Sequence, residues 1–305
     1  MTVRKVKVSL QIGEPRLPDR GTWYELISDF EQEIARPSRV TFVITDDFDT
    51  VVGRYDLKSP LRLNPDATEN SYTATKPGGG TAGARTIDQA GDRIVVVANV
   101  YMAGLGKDLV RRMLLHEAQH VRLIQGGDTA IAVHRRTGIS LAPEGLDWNF
   151  TWIAESLIDE FRCERALHEK GLPSSGMVSP PEDYFEVART LGDIRSEYDR
   201  DQDIMAAHQR CFTVLDRISS LLAYAAAAIV SGDQNLSDWS SVDSMSLLVS
   251  ALSETPSTAE RIDDQKVLTT TLHIIGLLRS EARSLGFESR FLEDEGLWFQ
   301  FLIRS

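Results

Sequence analysis

Cysteine is nearly missing from this chain. Cys163 and Cys211 are the only two in 305 residues, which excludes a disulfide framework. Positive charge is also short. Lys and Arg number 33 against 45 Asp and Glu, for a net charge of −12. An evenly acidic chain has no means of following a phosphate backbone, so nucleic acid is not an expected partner. Long apolar runs are missing too. The longest, Leu221–Val230, is rich in alanine and falls short of the ~20 residues that span a bilayer. Met1-Thr-Val-Arg-Lys-Val-Lys-Val8 is basic, but no continuous apolar stretch follows it, which argues against a secretory signal. The expectation is a cytoplasmic protein without membrane contact. With 42% hydrophobic and 26% charged residues, the chain suits a soluble globular protein of one or two domains.

Against this ordinary background stands His116-Glu117-Ala118-Gln119-His120, an H-E-x-x-H pattern. At ordinary His and Glu usage, roughly one random chain in a hundred of this length contains it. On a helix, residues four apart lie about 40° apart around the axis, so both imidazoles leave one face. They can supply two nitrogen ligands to a tetrahedral Zn²⁺. Glu117, between them, can reach a water near the metal without being a ligand. Zinc acidifies such a water and Glu117 accepts its proton, the role of a general base. Lys107–Gln125 carries helical periodicity through Leu109, Met113, His116, His120 and Leu123/Ile124, and Gly126-Gly127 ends it. Arg93–Val100, just upstream, is a β-branched run that reads as a strand.

A strand leading through a short loop into an H-E-x-x-H helix resembles the zincin metallopeptidases. The resemblance covers roughly residues 90–170. It implies that the strand is a sheet edge pairing with an extended peptide substrate, and that a third protein ligand completes the metal site. A metzincin would carry Gly at 123 and His at 126; the chain has Leu123 and Gly126. The segment Trp152-Ile-Ala-Glu155-Ser-Leu-Ile-Asp159, on a second expected helix from Trp148 to Lys170, is similar to the gluzincin segment. There a glutamate supplies the third ligand and an aspartate four residues on orients the first histidine. The resemblance therefore points to His116, His120 and Glu155 as ligands, with Asp159 behind His116. Two alternatives stay open. Glu160-Phe-Arg-Cys-Glu164 also fits a Glu-x-x-x-acid variant, and His134 matches the rough spacing of three-histidine zincins. Cys163 lies close by, but a small buried hydrophobe explains it better than a thiolate ligand.

Elsewhere the alternation of residues 3–12 predicts a strand. Thr22-Trp-Tyr-Glu25 predicts a capping box opening a helix with Trp23, Ile27, Phe30 and Ile34 on one face. Val40–Thr45 reads as a strand, and Thr50–Arg54 as a further short one. Asp46-Asp47-Phe-Asp49 is an acidic turn without calcium-loop spacing. Gly78–Gly83 lacks the Lys-Ser/Thr pair of a phosphate loop. Residues 171–181 have linker composition, and helical periods fill the rest, ending with an apolar helix near Leu302.

The expected fold class is α+β and mostly helical. Residues 1–172 form a gluzincin-like, zincin-like domain with a small sheet, and residues 182–305 a helical domain completing the cleft. The expected function is zinc-dependent hydrolysis of peptide bonds in a peptide or protein substrate. The alternative is a catalytically silent binding or regulatory protein on the same scaffold.

Overall fold

A computed structural model describes residues 5–11, 20–56, 83–89, 93–100, 105–139, 146–172, 180–292 and 296–302. It divides into two compact units, Met1–Gly127 and Asp128–Ser305, each helical in large part and each with its own small sheet. The class is α+β.

In the first unit, β1 (Lys7–Gln11), β2 (Val40–Thr45), β3 (Ala84–Gln89) and β4 (Arg93–Asn99) form one sheet in the order β1-β2-β4-β3. β1 and β4 flank β2 in parallel, while β3 runs antiparallel to β4. The continuous apolar run of β4 follows from cover on both faces. Ile94, Val96 and Ala98 join Phe42 and Ile44 against α1 (Arg20–Glu33) and α3 (Lys107–Gly126). Val95 and Val97 point the other way, with Val43 and Ile87, onto Phe48, Val51 and Val52 of α2 (Phe48–Asp56).

Three expectations change here. The 93–100 strand is interior; the edge strands among the described residues are β1 and β3. Residues 50–54 lie within α2, because their apolar positions Val51 and Val52 serve one helix face over the sheet. α1 begins at Arg20, so Thr22 and Glu25 lie inside the helix rather than at its cap. The Gly78–Gly83 loop is outside the described residues except for Gly83.

The second unit holds α4 (Ala130–Thr137), α5 (Trp148–Glu169), α6 (Pro181–Asp201), α7 (Ile204–Val230), α8 (Met245–Leu252), α9 (Asp264–Leu285) and a hairpin of β5 (Phe287–Leu292) and β6 (Gly296–Phe301). The division thus falls at Gly127, not in the 171–181 segment, of which 173–179 lie outside the described residues. The physical reason is α5. Ile153, Ile158, Phe161, Cys163, Ala166 and Leu167 bury it on nearly all sides, a helix that belongs in the middle of a core. That core is shared with Leu215, Ile218 and Leu222 of α7 and Ile274 and Leu278 of α9. Among the described helices α7 alone is long and apolar enough to cross a membrane, and most of that stretch is buried in the protein.

The expected C-terminal helix is instead the β5–β6 hairpin. Gly286 takes a left-handed φ of 100° and ends α9. Beyond it, Phe287 and Ser289 alternate inward with Phe299 on the facing strand, a period of two that a helix cannot satisfy.

Candidate metal centre

α3 places the histidines by simple geometry. Val110, Leu114, Ala118 and Val121 form its stripe on the sheet. His116 and His120 lie about 160° from Ala118 in either direction, so they project from the opposite side. Their Nε2 atoms stand 3.0 Å apart, with ring centroids 4.8 Å apart and planes at 72°. His116 is buried and His120 half-buried. Two nitrogens bound to one tetrahedral ion at about 2.05 Å are separated by about 3.3 Å. The observed convergence is close to that, so the pair fits a shared cation. Gly127, in the left-handed region at φ 67°, closes the helix by donating to the carbonyls of Leu123 and Ile124.

Glu117 lies about 100° from Ala118, on the flank of the helix. There it meets the edge strand. Thr86 Oγ1 donates to Glu117 Oε2 at 2.7 Å and lies 3.3 Å from the Glu117 carbonyl oxygen. Nothing in the motif signals Thr86. The alternation Ala84-Arg-Thr-Ile-Asp-Gln89 could have shown the strand, because Ile87 alone of these is buried.

The remaining candidates sit in the second unit. Glu155, on α5, is 2% exposed and its Oε1 lies 2.6 Å from His134 Nδ1 on α4. Burial pushes the Glu155 carboxyl up to about 7, opposed by Arg135. Burial likewise lowers His134, with Arg135 adding to it and a backbone hydrogen bond at Ile139 opposing. Both shifts favour the uncharged forms. Asp159, on the same face of α5, accepts from the backbone N–H of Ala130 at 2.9 Å, at the start of α4. Glu160 lies about 140° around the helix from Glu155 and is half-buried, while Glu164 is fully buried.

A further polar cluster was not foreseen. Asp147 caps α5 by accepting from the Asn149 N–H at 3.0 Å. Its Oδ2 accepts from His208 Nε2 and from Ser289 Oγ, both at 2.6 Å. Burial raises the Asp147 carboxyl, but the His208, Ser289 and Asn149 hydrogen bonds outweigh it and hold the group below its usual range. The aspartate stands between serine and histidine, so the cluster ties α5, α7 and β5 together rather than activating a hydroxyl.

Comparison of the chain with protein-family models, with curated proteins and with solved structures finds no match in any of the three.

Proposed function

We propose that the chain is a zinc-dependent metallopeptidase. The observation that carries this reading is the convergence of His116 and His120 Nε2 to 3.0 Å on one side of α3, with a carboxylate between them in sequence. The proposed ligands are His116 and His120 of α3, with Glu160 the preferred one of the three sequence candidates for the third position. Glu160 replaces Glu155 because it is half-buried, whereas Glu155 is 2% exposed and bonded to His134. A ligand that must first leave a buried partner binds more weakly, since that partner is then left unsatisfied.

When bound, zinc supplies Lewis acidity and lowers the pKa of a nearby water. Glu117 takes the proton of the attacking water and later returns it to the leaving amine, at the oxygen not held by Thr86. The outer edge of β3 carries no strand among the described residues, and it offers backbone donors and acceptors to an extended peptide. This last feature favours a peptide over other substrates.

Zinc content of the purified chain and cleavage of a broad peptide library, mapped by mass spectrometry, test the reading together. About one zinc per chain, with cleavage in wild type and none in Glu117→Gln, is the expected result. Zinc without cleavage would indicate a silent scaffold that binds rather than hydrolyses. Absence of zinc uptake on titration overturns the proposal.

A further inference from the structure

Thr86 stands outside the H-E-x-x-H pattern, yet it is the side chain bonded to Glu117. Alternation along β3 sends Ile87 into the α2 side of the sheet and Thr86 to the α3 side, over the flank where Glu117 emerges. The Thr86 hydroxyl has one proton and two acceptors within reach, the carboxylate at 2.7 Å and the Glu117 carbonyl at 3.3 Å. The shorter, charge-assisted bond takes it. Among the described residues only Oε2 of the two Glu117 carboxylate oxygens is hydrogen-bonded, which leaves Oε1 for another partner.

We infer that Thr86 is a positioning residue for the general base: its hydroxyl holds Glu117 Oε2, so that Oε1 is the oxygen presented to water. The inference rests on the metallopeptidase reading. Threonine suits the task. Its branched Cβ leaves few χ1 states, and the antiparallel ladder that pairs Thr86 with Val96 fixes its backbone. Glutamate, by contrast, has three rotatable torsions and samples many poses without such a tether. Because Thr86 belongs to the strand whose outer edge is proposed to receive substrate, one element would both align the peptide and aim the base.

The test uses the full chain carrying Thr86→Val, which keeps the shape and loses the donor, and Thr86→Ser, which keeps the donor. Zinc retention under a competing chelator should be equal in all three proteins. On a library peptide that wild type cleaves, Thr86→Val should lower kcat by about tenfold with KM within about twofold, and Thr86→Ser should restore most of it. The second measurement needs no turnover. In the metal-free chain, a double-mutant cycle of Thr86→Val with Glu117→Ala should show coupling, with an unfolding constant about fivefold off additivity. Coupling with unchanged kcat makes Thr86 only a clip between strand and helix and overturns the inference. Additivity in the cycle overturns it as well, whatever the activity. If zinc-loaded wild type cleaves nothing, the metallopeptidase reading falls and this inference with it. If wild type cleaves and Thr86→Val cleaves equally well, only the inference falls.

Discussion

His134 Nδ1 and Glu155 Oε1 lie 2.6 Å apart inside the second unit. Two of the three side chains that the sequence offers as a third metal ligand are therefore bonded to each other. The Trp148 ring, 5.9 Å from that of His134, covers the histidine. Burial pushes Glu155 up and His134 down, so it favours the uncharged form of both side chains.

The ligand ranking follows from that pairing. Glu160→Ala should lower zinc affinity by more than the about 10–100-fold typical of a residue that only orients a ligand. Glu155→Ala and His134→Ala should leave zinc retention within a few-fold of wild type while lowering stability. Competition with a chelator measures all three. A large Glu155 effect beside a small Glu160 effect would return the third ligand to Glu155 and require the His134 bond to open on metal binding.

The same pair sets a pH dependence of folding. The folded Glu155 carboxyl titrates at about 7, above its ordinary 4.5, so the native state binds a proton that the unfolded chain has released. Its contribution is fully present below pH ~4.5 and is lost as pH rises through ~7. Glu155→Gln removes this titration. Across that window wild type should lose ~3 kcal/mol relative to Glu155→Gln, as read by urea unfolding at several pH values. A constant difference from pH 4.5 to 8 contradicts the assignment of the proton to Glu155.

Glu117→Gln should retain zinc and the fold while losing at least ~10²-fold in kcat, because the amide cannot accept the proton. Loss of zinc in this variant would make Glu117 a ligand and invalidate its role as base.

Asp147 supports the second unit at three points: the α5 cap, His208 and Ser289. Asp147→Ala leaves a buried histidine without its acceptor and should destabilise by ~3–5 kcal/mol. Ser289→Ala removes one hydrogen bond and should cost ~1 kcal/mol. Since the folded Asp147 carboxyl is held below its usual range, its contribution is present above pH ~4 and lost as pH falls further. Equal effects of the two variants in denaturant unfolding would show that the cluster adds little beyond packing.

Where periodicity was strong, the sequence alone determined local structure. The α3 stripe, the β2 and β4 runs, the glycine stop at Gly127 and the placement of His116 and His120 on one helix face all follow from spacing and capping within a few residues. Short segments were less certain. At 50–54 the apolar pair Val51-Val52, and at 287–301 short apolar clusters, satisfy either period, and the partner that covers them chooses. Residues that meet across long stretches of chain were not legible at all. Glu155 and Glu160 look alike in sequence, each followed by an acid four residues on. Only tertiary structure distinguishes them, because burial of α5 against α4 gives Glu155 to His134 and Asp159 to Ala130. Thr86 is similar: its hydroxyl reaches Glu117 across 31 residues of chain, through a strand pairing that local pattern does not encode. Helix geometry is a property of neighbours four residues apart, whereas the partner of a buried polar group is set by whichever packed element comes within hydrogen-bond reach.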